Sequence, residues 1–355
     1  MPATSIDTFF ACSLLVILVV SAMATMPRVV SPMLDGLANK NDVERLQQLA
    51  QYIVLSTGAP TDWGSIPEVS PTDFGLASSN TTSPYALDVD KVTRLNSQNT
   101  YSITYARLLA ELKANDVALN IHVQTVFNTS INLISCTDYG NDTTCTFEIT
   151  TLNSGFAVIS DLDCYLIIGD FLASSASFTN STGNGIASFA IPSGVNESGL
   201  MIAFAKAQSN PSMVSFGVLS LENDFSVQQS NYTFAALSPL DNRLNTSYNY
   251  PNERTLGAYA LSYSYWANLT MLSKVAQTEE YSFPRFLDQS ITILVLTGLN
   301  GTESFAQWVA YPQVPLDIGV NFGSSTSEGN VASFTYFVTI GSAIYKLQIA
   351  CWEVG

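Results

Sequence analysis

"IDTFFACSLLVILVVSAMATM", residues 6–26, is apolar almost without interruption and carries one carboxylate, Asp7, at its front edge. A discarded signal peptide, a membrane anchor and the core helix of an assembly all read this way. Residues 8–26 are just long enough to cross a bilayer as a helix. A cleaved secretory signal needs a basic stretch ahead of its apolar part. Here the first Lys or Arg is Arg28, behind the run, although Ala22 and Ala24 mimic a small-residue cleavage site. The sequence therefore predicts a helix that stays on the mature chain.

Beyond the run, the helical pattern continues past softened joints at Pro27 and Pro32. Asn41 with Glu44 forms a capping-box-like start. Val43, Leu46, Leu49, Ala50 and Ile53 recur on one helical face, and Gly58 and Pro60 end the pattern. Residues 1–58 thus read as a long N-terminal helix, hydrophobic in front and amphipathic behind. The front needs lipid or other helices around it, and the rear needs a globular body to lie on.

Residues 59–116 read as a connector, with loops at Trp63-Gly64 and Phe74-Gly75 and a short helix that groups Tyr105, Leu108, Leu109 and Leu112. From Val117 the period becomes two, with Val117, Leu119, Ile121 and Val123 alternating with polar residues. Further strands are expected at 144–152, 156–168, 185–191, 200–207 and 213–221, with a hairpin turn at 207–212. They imply a β-sandwich over 117–230. A second β-rich block, 231–355, holds alternating runs at 255–272, 290–299, 332–340 and 343–352. The expected class is α+β: one long N-terminal helix followed by two β-rich, Ig-like sandwich domains.

The 355 residues carry 13 basic and 29 acidic side chains, for a net charge of −16, and only 12% of the chain is charged, against about 25% in ordinary domains. Its basic residues are scattered singly, which argues against nucleic-acid binding. Asn-X-Ser/Thr sequons begin at Asn80, Asn128, Asn141, Asn180, Asn196, Asn231, Asn245, Asn268 and Asn300. A chain this rich in Ser, Thr and Asn makes sequons freely. Their spread still points to an exported surface carrying N-linked glycans.

Of five cysteines, Cys12 lies in the apolar run. "CTDYGNDTTC", residues 136–145, places Cys136 and Cys145 at the two ends of a turn-rich loop, as a hairpin staple would be. Cys164 and Cys351 are then left to close a very long loop, with other pairings and free buried thiols still open. No metal site is expected: there is no CxxC, and the one histidine, His122, sits in a strand-like stretch.

The stretches "LSTGAPTDWG" (55–64), "DFGLA" (73–77), "YALDVDKVTRLN" (85–96) and "SITYARLLAELK" (102–113) resemble a group of archaeal membrane-anchored, type IV pilin-like surface proteins. The resemblance covers about residues 5–220. It implies a cell-surface location and a pilin-type N-terminus. One departure stands out, because such precursors carry a short basic leader and only Met1 and Pro2 precede Ala3 here. Arg28, Lys40 and Arg45 would place the flank behind the run in the cytoplasm, whereas the sequons and cysteines place it outside. A basic leader ahead of the run removes that conflict. In the resemblance, Asp7 takes the place of the acid that pairs with a neighbouring subunit's N-terminal amine. On its own it reads as an N-terminal cap at the lipid interface.

An enzyme is not expected. No Ser-His-Asp or Cys-His triad can be built without His122, and no GxSxG, P-loop or GxGxxG stands in a suitable context. The acids of "SDLDC" (160–164) and Glu279/Glu280 read as solvated loop acids more readily than as a calcium site or a catalytic pair. No cofactor is expected. The sequence reading is a structural subunit of an extracellular filament, held in the membrane before assembly and then polymerised with copies of itself. Asp7, Phe9, Phe10, Leu14, Leu15, Ile17 and Leu18 would form the assembly helix. A monomeric membrane-anchored surface-binding protein is the second reading, and an extracellular hydrolase the third.

Overall fold

The computed structural model describes residues 43–81, 83–114, 116–228, 233–285, 290–320 and 331–353. The chain divides into two units, Met1–Gln51 and Tyr52–Gly355. The apolar run, with Asp7, Cys12 and the expected assembly residues, lies outside the described residues, as does Asn231.

In the first unit, residues 43–51 are helical, and the helix runs on to residue 55 (α1). Along α1 Leu46, Ala50, Ile53 and Val54 are buried and Val43 is exposed. The expected amphipathic face is therefore present one turn further on than its first residue.

The second unit begins with a connector. It holds the two-residue strand β1 (Ala86–Leu87), the single-turn helix α2 (Val89–Thr93) and α3 (Tyr105–Leu112). Asp88 caps α2, accepting from the amides of Asp90 and Lys91 at 3.0 and 3.1 Å, and Thr104 caps α3 through the Arg107 amide. These caps supply acceptors for helix-end N–H groups that have no partner within the helix.

After β2 (Val117–Thr125) the chain builds two sheets. One contains β3 (Asn128–Asp138), β4 (Asp142–Asn153), the short β5 (Phe156–Ala157) and β8 (Asn184–Pro192). The other contains β6 (Ser160–Ile168), β7 (Phe171–Phe178), β9 (Gly199–Ala207) and β10 (Val214–Leu221), in the order β10-β9-β6-β7. Phe147, Ile149, Leu162, Leu166, Met201 and Ala203 fill the space between them.

Two more sheets follow. The outer one has the order β11-β12-β16-β15, from β11 (Ala235–Leu240), β12 (Arg243–Tyr248), β15 (Thr270–Val275) and β16 (Thr278–Ser282). The inner one has the order β14-β13-β17-β18, from β13 (Glu253–Ser262), β14 (Tyr265–Asn268), β17 (Thr292–Asn300) and β18 (Glu303–Tyr311). Leu244, Ala260, Leu294, Leu296 and Phe305 form their core.

The two pairs of sheets are stacked. Alternate residues of β6 and β9 that face away from the first core meet the inner sheet of the second pair. Tyr165 Oη donates to the Ser262 carbonyl at 3.2 Å, Tyr259 Oη to the Asp170 carbonyl at 2.9 Å, and Thr297 Oγ1 to the Gly169 carbonyl at 2.6 Å. Phe216 meets Trp308 edge-on. Four layers of sheet result, and β6, β9 and β17 are buried on both faces over most of their length. This accounts for "ITILVLTGL", which the sequence offers as an alternating strand: a strand between two layers needs apolar residues on both sides. Gly257 stands where two layers come close together. A Cβ there would lie 2.5 Å from the Tyr259 ring and 2.9 Å from the Gly169 carbonyl oxygen.

The last strands, β19 (Leu316–Gly319), β20 (Ala332–Ile340) and β21 (Ala343–Glu353), return to the beginning of the unit. They form a sheet of order β1-β20-β21-β2-β19. Val117 is opposite Glu353 and Thr125 opposite Tyr345, so this sheet draws strands from both expected blocks.

The expected α+β class is corrected: strands make up 56% of the described residues and helices 9%. The three helices among the described residues are short, and none of them is the long apolar helix on which that class rested. The expected Cys164–Cys351 bridge is also corrected. Both residues are buried free thiols, Cys164 in the first core and Cys351 on β21. The Cys136–Cys145 disulfide is formed, between directly opposed residues of β3 and β4.

Candidate functional site

Where the connector meets the second pair of sheets there is a cleft of about 730 Å³. Its walls come from residues 78–81, Ser83, residues 86–90, the β11–β12 turn, Phe283 to Arg285, the end of β18 and the β20–β21 turn. The β11–β12 turn is Asp241-Asn242, both with positive φ, the type I′ hairpin geometry that Asn and Asp tolerate. It aims the Asp241 amide at Asp90 Oδ1, 2.9 Å away. The Tyr311 hydroxyl donates to the same oxygen at 2.9 Å. Asp90 is 6% exposed. Burial pushes its carboxyl up to about 6, against the pull of those two hydrogen bonds.

Four carboxylates border the cleft: Asp62, Asp88, Asp90 and Asp241. Two are committed to the fold, Asp88 as the α2 cap and Asp90 as the acceptor for the turn and Tyr311. Arg285 reaches Asp241 at 3.3 Å, and both side chains are half exposed or more. Hydroxyls of Ser78, Ser79, Thr81 and Ser83 line one wall. This lining suits a neutral polar ligand rather than an anion. Among the described residues no group of three or more His, Cys, Asp or Glu is placed to hold a metal ion.

The connector itself is organised by two cations. Lys91 is fully buried, and its Nζ donates to the carbonyls of Thr57 and Ala77 at 2.8 and 2.9 Å. Arg94 donates to the carbonyls of Trp63, Ile66, Val69 and Tyr101. Both cations stand over the Trp63 ring. Asn99 and Thr100 extend the attachment to β11, through the Pro239 carbonyl and the Ser238 hydroxyl.

The acids singled out in the sequence are not brought together. Asp163 accepts from Tyr165 Oη at 2.8 Å and from the Ser264 amide at 2.6 Å, at the junction of the two middle sheets. Asp161 accepts from Gln208. Glu279 is buried beneath Tyr248, Tyr281, Thr255 and Lys274. Burial pushes its carboxyl up, but the four donors outweigh this and hold it below its ordinary value. His122 is on β2, opposite Asp317 of β19, with 3.8 Å between Nδ1 and the carboxylate. The asparagines of the sequons at 80, 128, 141, 180, 196 and 268 are exposed, and Asn245 and Asn300 are half-buried.

The sequence reading missed Asp90, Lys91 and Arg94, and it took Glu279, which is fully buried, for a solvated acid. Lys91 and Arg94 look like the solvated face of a short helix. The available signal was their company, since "LSTGAPTDWG" and "DFGLA" bring three glycines and a tryptophan into a short span. Such loops present bare carbonyls that need donors.

The fold is that of a layered, mostly-β protein with its connector cleft at one side. No family model matches the chain, and no curated protein does. Among solved structures it is similar to HBP35 of Porphyromonas gingivalis, at 10% identity over 57% of this chain and 68% of that one, with a TM-score of 0.17. So low a score supports neither a shared fold nor a shared activity, and the pilin-like resemblance gains no support from these comparisons.

Proposed function

We propose that the chain is a structural protein of the cell exterior: a subunit of an extracellular filament of type IV pilin-like kind, joined through its apolar run, with the β-layers facing outward. The observation that carries the exterior location is the Cys136–Cys145 disulfide on the β3–β4 hairpin, a bond that persists in an oxidising compartment. The exposure of most sequon asparagines agrees with it. Assembly rests on the run itself. In water each large apolar side chain it buries contributes about 1.5 to 3 kcal/mol, and an apolar run reaches that burial only in lipid or among copies of itself.

Shearing cells that express the protein and imaging the sheared material after negative staining tests this. Filaments that contain the chain are the expected result, and Asp7→Asn separates the two roles of that residue. An Asn caps a helix about as well as Asp but lacks the charge for pairing with an amine. Loss of filaments, with the chain still in the membrane, is the expected outcome. Complete absence of wild-type filaments would sink the filament reading. It would favour the second one, a membrane-attached surface protein that binds neutral polar ligands such as sugars in the hydroxyl-lined cleft.

A further inference from the structure

The four stacked sheets have edges, and an exposed edge strand is a template for pairing with another chain. In the first pair of sheets the edges close on each other. Gly217 of β10 lies so near β3 that a Cβ would stand 2.7 Å from the Thr129 carbonyl oxygen, and Ser177 of β7 donates to the Ile186 carbonyl of β8 at 2.8 Å. In the second pair, one edge is covered by the connector through Asn99 and Thr100.

The other edge is a single ribbon, residues 265–275. It serves first as β14, the edge of the inner sheet, and then as β15, the edge of the outer one. Trp266, Met271, Leu272 and Val275 along it are 50, 47, 49 and 71% exposed. The lysine on this edge, Lys274, is half exposed and has its charge paired with the buried Glu279 at 2.5 Å, which weakens the protection an outward lysine gives. A bulge between Met271 and Ser273 interrupts the register at one point only.

In the middle of this ribbon is the sequon Asn268-Leu269-Thr270. Leu269 is buried in the core of the second pair, and its amide is held by the Ala258 carbonyl at 2.9 Å. With Leu269 turned in, Asn268 and Thr270 both face out, as positions two apart on an extended chain do. We infer that Asn268 is a glycosylation site and that its glycan shields the 265–275 edge from pairing with the same edge of another copy. In the modification Asn268 Nδ2 attacks the anomeric carbon of a lipid-pyrophosphate-linked oligosaccharide. The N–C bond forms and the C–O bond to pyrophosphate breaks; the amide loses one proton and the lipid pyrophosphate leaves. The inference rests on export to the cell exterior but not on filament assembly.

The test uses the full chain purified from its own cells. Cleavage after Arg254 and Lys274 releases residues 255–274, which hold the Asn268 sequon and no other. The expected result is a glycan mass increment on this peptide that Thr270→Ala abolishes. Bare 255–274 beside modified peptides from other sequons would overturn this inference alone. Bare peptides throughout would overturn it together with the glycosylated-surface reading. The shielding is read separately, with Val275→Cys as a reporter on the edge and a copper–phenanthroline oxidant. Reducible dimers should rise several-fold when Thr270→Ala is added to Val275→Cys, and fall back when Leu272→Lys is added as well. An unchanged dimer yield on removal of the sequon would overturn the shielding role.

Discussion

The Asp90 carboxylate and the Tyr311 hydroxyl are 2.9 Å apart, although 221 positions separate them in sequence. Through this contact and the Asp241 amide, one buried acid joins α2 of the connector to both sheets of the second pair. Asp88, Asp241 and Arg94 are the charged groups that act on it.

The raised Asp90 carboxyl makes the stability of this junction depend on pH. Below about pH 4 the acid is protonated whether the chain is folded or not, and its contribution is complete. Between about pH 4 and 6 the folded chain keeps a proton that the unfolded chain releases, so stability falls as pH rises, by about 3 kcal/mol in total. Asp90→Asn keeps an oxygen for both donors and cannot titrate. Denaturant midpoints at pH 4, 5, 6 and 7 should show the variant losing less stability over this window than the wild type. Parallel curves for the two proteins would show that Asp90 is ionised at no cost.

Arg94 satisfies carbonyls of residues 63–69 and 101 from one planar group. Arg94→Lys keeps the charge but offers three donors from a single point, so some of these carbonyls lose their donor. The expected cost is about 2 to 4 kcal/mol in unfolding free energy. Early proteolytic cleavage within 60–70 should accompany it, because this loop is what the guanidinium holds.

How much of this could be read from the sequence depends on the distance over which each pattern acts. The alternation in 117–123 and 144–152 marks strands correctly, because one face of each meets a core. The staple at 136–145 is local and was legible. The stacking of four layers was not, since whether "ITILVLTGL" is covered on one side or two is decided by distant chain, as the contact of Thr297 with Gly169 across 128 positions shows. Cys164 and Cys351 looked like partners only because two cysteines were left over. One sits between two layers and the other on a returning strand. For Lys91 the sequence gives a charge, and only the fold supplies the two carbonyls that make its burial tolerable.

The thiols provide a check on that arrangement. Burial pushes both Cys164 and Cys351 up to about 12, so neither forms the reactive thiolate near neutral pH. Alkylation of the folded protein at pH 8 should leave both unlabelled. Unfolding without a reductant should label both and leave Cys136 and Cys145 blocked. Reducing the disulfide should lower stability by about 2.5 kcal/mol, as the closing of so short a loop implies. Blocked Cys164 and Cys351 in the unfolded, unreduced chain would overturn their assignment as free thiols.

Tyr345 provides a test inside the returning sheet. Its side chain is fully buried on β21, opposite Thr125 and Val338, and its hydroxyl has no hydrogen-bond partner among the described residues. Folding takes that hydroxyl out of water without replacing the hydrogen bonds it loses, at a cost of about 1 to 3 kcal/mol. Tyr345→Phe removes the polar atom and leaves the ring, whose packing supplies the gain from burial. The space vacated is that of one oxygen atom, so the cavity penalty is small beside the desolvation recovered. The variant should be more stable than the wild type by about 1 kcal/mol or more in chemical denaturation, with an unchanged slope. Other buried tyrosines serve as controls. Tyr248 and Tyr281 both donate to Glu279, at 2.7 and 2.5 Å, and the same exchange there strips donors from a buried carboxylate. Tyr281→Phe should therefore destabilise where Tyr345→Phe stabilises. Destabilisation by both exchanges would mean that Tyr345 has a hydrogen-bond partner within the sheet.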